Sequence, residues 1–154
     1  MPHEQTTITT RDGECPAHVF TAGAGRNGPA LIFYMDAGGI RPAALGMAER
    51  LSEAGYVVLL PDLFYRYGSY GPFDPKEVFK GDVRAILGPL MATTGNAIAA
   101  EDTEAFLAYL DTRSDVQGDK WARSASAWAA AWRSRRRAPG RTASPPSPAS
   151  TAAI

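Results

Sequence analysis

Two carboxylates stand where a chain of alternating strands and helices places its chemistry. Asp36 follows the apolar run Leu31-Ile32-Phe33-Tyr34-Met35, and Asp62 follows Tyr56-Val57-Val58-Leu59-Leu60-Pro61. Loops at the carboxyl ends of buried parallel strands are where such proteins carry functional groups. Nucleophile candidates are few. The single cysteine, Cys15, has no histidine placed to activate it and is expected to be inert. Ser69 lies in Tyr67-Gly68-Ser69-Tyr70-Gly71, which departs from the GxSxG elbow because Tyr67 takes the place of the first glycine. A serine esterase built on Ser69 stays open as an alternative. His3 and His18 both precede the first buried strand. Residues 23–28 spell GxGxxG, but Pro29 and a strand follow where a helix should hold a pyrophosphate. A flexible loop is expected there instead.

The elements that must position these groups follow from breakers and periodicity. Residues 31–35 and 56–60 are short, apolar, β-branched or aromatic runs bounded by Gly and Pro, which marks buried strands. Between them, residues 42–55 repeat Ala44, Leu45, Ala48, Leu51 and Ala54 at helical spacing, with Pro42 in the first turn and Gly55 as the cap. Strand, helix, strand makes a βαβ unit with parallel strands. Upstream, residues 6–11 and 16–21 predict an antiparallel ribbon around an Asp12-Gly13 turn. Residues 63–75 are rich in aromatics, Gly and Pro, and read equally as an irregular packed loop or as a wall of a substrate pocket. Residues 77–91 predict a helix broken near Gly88-Pro89. Residues 99–110 predict another, with Ala100, Phe106, Leu107 and Leu110 toward the sheet.

Residues 33–66, FYMDAGGIRPAALGMAERLSEAGYVVLLPDLFYR, closely resemble the early part of dienelactone hydrolase family proteins, and the resemblance extends more loosely over residues 6–120. It implies the amino-terminal half of an α/β-hydrolase fold, a mostly parallel sheet flanked by helices and incomplete here. It also implies hydrolysis of a small lactone or ester by a cysteine thiolate, with a histidine and an aspartate as its partners. By matched position, Asp36 corresponds to the acid beside the resting thiol, usually glutamate in the family. Ala37 corresponds to a backbone N–H donor of the oxyanion site. Arg84 is the arginine available for a substrate carboxylate in its region. No cofactor, metal, nucleic acid or membrane enters that chemistry, and the oligomeric state stays open.

Forty-five per cent of the chain is hydrophobic and its formal net charge is zero, but that balance hides a division. Residues 1–120 hold all sixteen acids and ten bases, a charge of −6, whereas residues 121–154 hold six arginines and no acid, a charge of +6. The amino terminus lacks the pattern of a signal peptide, which with one cysteine points to a cytoplasmic protein. Two domains follow: a partial hydrolase domain, 1–120, and an Ala/Arg/Ser/Pro-rich tail, 121–154. As written, the tail reads as a disordered basic extension, or as a basic helix carrying Trp121, Ala125, Trp128 and Trp132 on one side. A non-catalytic binding module that uses the aromatic loop and the basic tail stays open as an alternative. A third reading treats the tail as a frameshift. With one G restored after the Lys120 codon, the Trp121-Ala122 and Trp128-Ala129 codons each force a glycine. Permitted third bases elsewhere give VGAVGFCMGG over slots 121–130, the strand and elbow pattern of the family. The nucleophile then falls in the slot of Ala127. Under this reading the tail as written supplies no central strand beside residues 31–35. The late Asp and His are not in the chain, which is expected to be inactive.

Overall fold

Short β-branched and aromatic runs, punctuated by glycine and proline, build a five-stranded sheet. The structure, a computed structural model, describes residues 2–23, 26–71 and 73–117, with the backbone of 122–125. Its elements are β1 (His3–Thr10), β2 (Gly13–Phe20), β3 (Ala30–Tyr34), α1 (Pro42–Glu53), β4 (Val57–Pro61), α2 (Pro75–Lys80), α3 (Val83–Ala92), α4 (Asn96–Asp111) and β5 (Ala122–Ala125). The expected βαβ unit is present. Strands β3 and β4 pair in parallel, Leu31 opposite Val58, and every residue of both is buried. Strand β2 runs antiparallel between β1 and β4. The hairpin turn itself falls one residue earlier than expected, because Thr10 pairs with Gly13 and leaves Arg11-Asp12 as the loop. Neither loop residue has a positive φ, so the mirror-image turn that favours Asp-Gly is not formed, and Gly13 takes a φ of 141° instead.

Helix α1 presents Ala44, Ala48 and Ser52 to the sheet, while Leu45 and Leu51 are only partly buried. Gly55, just past its end, adopts φ 102°, the conformation a helix terminus asks of glycine. The 23–28 loop does not open a helix. Gly28 bridges to Val116, and a Cβ there would run into the Gly55 carbonyl oxygen.

Three expectations are corrected. The break in the 77–91 helix falls at Gly81-Asp82, not at Gly88-Pro89. Asp82 Oδ1 accepts from the N–H groups of Arg84 (3.0 Å) and Ala85 (3.1 Å) and so starts α3. Pro89 stays inside the helix on an exposed side, where water can reach the Ala85 carbonyl it leaves unpaired. In α4 the buried positions are Asp102, Thr103, Phe106 and Leu110, two of them polar, while Ala100 and Leu107 are only partly buried. Finally, four residues of the tail do supply a strand. Ala122–Ala125 pairs in parallel with β3, Leu31 opposite Ala122 through Tyr34 opposite Ala125. Ladder hydrogen bonds come from the main chain, so a segment without proline can make them whatever its side chains. The rest of the tail lies outside the described residues.

Candidate active site

The turn after β3 is built around Asp36. Its Oδ1 accepts from the Gly38 N–H (2.8 Å), and its carbonyl accepts from Gly39 N–H (3.0 Å). Arg41, placed by Pro42 at the start of α1, lays its guanidinium along the carboxylate. One nitrogen donates to Oδ1, the other to Oδ2 at 2.7 Å. That bidentate pair holds the Asp36 carboxyl below the usual carboxylate range, against the opposing effect of partial burial. Among the described residues, no hydrogen bond occupies the Ala37 N–H.

Beside this turn lies a cavity of about 190 Å³, walled by Phe73, Pro75, Val78, Phe79 and Leu87. The aromatic loop therefore contributes one ring, Phe73, to the cavity. A second, wider depression of about 340 Å³ includes Asp62, Ser69 and Tyr70. No histidine lines it among the described residues. His18 instead contacts His3 across the hairpin (2.9 Å).

Tyr70 joins the two loops. Its hydroxyl accepts from the Ile40 N–H (3.1 Å) and donates to Asp62 Oδ1 (2.7 Å). Gly39 makes room for the ring: at φ 71°, a Cβ there would approach Tyr70 Cε2 to 2.6 Å. Burial pushes the Asp62 carboxyl up, partly offset by the Tyr70 hydroxyl. Asp62 thus works as a bracket between loops, not as an exposed acid. Cys15 is fully buried in β2, its thiol directed to the carbonyls of Asp62 (3.5 Å) and Pro16 (3.6 Å). Burial, with the nearby charges of Asp102 and Asp62, pushes the thiol up to about 12. A thiol held protonated by burial is a poor source of thiolate near neutrality.

Beneath the loops, Arg66 donates to both oxygens of Asp102 (2.8 Å each) and to Asp12 (2.7 and 2.9 Å). Tyr65 completes the cluster with bonds to Asp102 (3.2 Å) and Thr10 (2.6 Å). This clasp ties the β1–β2 hairpin, the loop after β4 and α4 together. No helix is long and apolar enough to cross a membrane among the described residues, and no cluster there could hold a metal ion.

The sequence pattern of the dienelactone hydrolase family matches residues 16–122. The chain belongs to that family. Among solved structures it is similar to a Klebsiella pneumoniae protein assigned to the dienelactone hydrolases, with TM-score 0.63 and 20% identity over 79% of this chain and 48% of that one. It is similar also to an α/β-hydrolase from Penicillium (TM-score 0.55, 19% identity, 80% of this chain and 37% of that one). A third is a dienelactone hydrolase-like promiscuous phosphotriesterase from metagenomic libraries (TM-score 0.52, 21% identity, 80% and 48%). The chain spans at most about half the length of these structures. None of the curated protein sequences compared matches it. The likeness is one of fold: the amino-terminal half of an α/β-hydrolase, as the sequence implied.

For a dienelactone hydrolase family chain, the structure brings Asp36 and Ala37 into one turn on the cavity wall. Arg84 stands elsewhere, exposed on α3 and not among the cavity's lining residues. The arginine at the turn is Arg41, which the sequence reading missed. Its signal was present: a base five residues after Asp36, across a Gly-Gly turn. The slot of Ala127 lies outside the described residues.

Proposed function

We propose that the intact protein hydrolyses lactone or ester bonds of small molecules with a cysteine nucleophile, and that the chain as written, out of frame from Trp121, does not turn over. Asp36 then takes the place of the acid beside the thiol, and the Ala37 N–H is the donor kept open for the oxyanion. The observation that supports this most is a register. All four β3–β5 pairs share one offset, Leu31 with Ala122 and Tyr34 with Ala125. The same offset counted on from Asp36 gives 127, the slot where the restored frame puts its cysteine. Both positions are carried over from the family match, and the shared offset supports reading them as neighbours across the two strands. The missing Asp and His of the triad would follow the elbow in the restored frame.

The test compares two proteins: the 154-residue chain, and the protein read to its natural stop with one G restored after the Lys120 codon, here the restored protein. Aryl ester hydrolysis should be at background in the first and clear in the second. Hydrolysis by the first that disappears in Ser69→Ala would overturn the proposal in favour of a serine esterase.

A further inference from the structure

The cavity beside the Asp36 turn has two properties that together select a ligand. The first is size. Its volume of about 190 Å³ compares with a roughly 150 Å³ apolar cavity known to accept benzene, so it takes one ring or one short branched alkyl group. Phe73, Pro75, Val78, Phe79 and Leu87 wall it, and Phe79 leaves 77% of its surface exposed at that wall, where a bound ring could cover it.

The second property is charge. The charged groups on the described wall are Asp36 and Arg41, and each is already committed to the other through two hydrogen bonds. Arg41 keeps only 19% of its side-chain surface exposed, Asp36 45%. A substrate carboxylate entering here would lose water, meet the Asp36 charge and gain the guanidinium only by opening that pair. An uncharged ring meets none of these obstacles.

We propose that this cavity is a subsite for a single uncharged aromatic or short branched group, which makes neutral aryl or arylacyl esters and lactones the substrate class. This rests on the hydrolase reading above and narrows it. Asp36 is accordingly a specificity determinant as well as a neighbour of the nucleophile, because its charge keeps Arg41 from a substrate anion.

The test titrates benzamide and benzoate, equal in shape and different in charge, into both the 154-residue chain and the restored protein by ligand-observed saturation-transfer NMR. Benzamide should bind at least tenfold more tightly than benzoate. Phe79→Ala, a substitution at an exposed position, should weaken benzamide several-fold, and Val78→Trp, which fills the space, at least tenfold. Asp36→Asn should invert the preference by releasing Arg41 to benzoate. Equal or tighter binding of benzoate to either unmodified protein overturns the proposal, as does benzamide binding indifferent to both Val78→Trp and Phe79→Ala. The two readings fail separately. Ester turnover by the restored protein with a preference for carboxylate-bearing esters removes the subsite alone. Benzamide selectivity without any turnover removes the hydrolase and leaves a neutral-ring binding site.

Discussion

Replacing Arg66 by Met should destabilise the fold more than any exposed substitution, for a reason that can be worked from its contacts. Asp102 exposes 1% of its side chain and Arg66 14%. Without Arg66, the Asp102 carboxylate keeps, among the described residues, only the Tyr65 hydroxyl at 3.2 Å. Removing one partner of a buried pair typically costs about 3–5 kcal/mol, mostly from the charge left behind. Arg66→Met is therefore expected to cost about 4 kcal/mol. Asp102→Leu should cost less, about 2 kcal/mol, because Arg66 keeps Asp12 at 2.7 Å and can reach water. The double variant removes both charges and should fall short of the sum of the two singles by about 2 kcal/mol. Urea unfolding of the restored protein is the assay. At a slope of about 2 kcal/mol/M, the Arg66→Met midpoint should drop by about 2 M. A drop under about 0.5 M, or strictly additive single losses, would refute the clasp as a coupled unit.

Two further outcomes follow from the turn geometry. Gly28→Ala should destabilise the restored protein by about 2 kcal/mol or more in the same unfolding assay, because its Cβ would meet the Gly55 carbonyl oxygen and backbone must move; a neutral result would contradict the close approach. Asp36→Asn should flatten the acid limb of the stability curve. Asp36 has its folded pKa depressed by Arg41, so its contribution is present above the unfolded carboxylate value and is lost as pH falls through the folded one. The carboxylate is almost half exposed, which limits the effect to about 1 kcal/mol or less; an unchanged acid limb in pH-dependent urea melts would contradict the pairing.

What the sequence showed plainly was local. The two buried strands and the helix between them are each marked by their own breakers and spacing, and the structure moves their boundaries by one or two residues. Asp36 could be placed at a strand's end for the same reason. The helix break was misplaced because two local signals competed, and the Asp82 cap outweighed a proline that a helix can carry on an exposed side. The buried acid of α4 was invisible to periodicity, since its partner Arg66 lies 36 residues away and Thr103 meets Tyr34 from 69 residues away. Tyr70 as the tie between two loops was hidden likewise, because it depends on a glycine making room 31 residues earlier. Residues 122–125 show the reverse limit: side chains that did not read as a strand still pair through their backbone.

The central claim is that the working thiol belongs to slot 127 and not to Cys15. It is tested most directly by iodoacetamide labelling of the native restored protein, with peptide mapping and residual ester hydrolysis followed together. Cys15, fully buried with its thiol pushed up to about 12, should stay unlabelled until the protein is denatured. The slot 127 thiol should be alkylated first, with activity lost in step. Labelling at Cys15 in step with lost activity, or hydrolysis that survives complete alkylation of slot 127, would contradict the account.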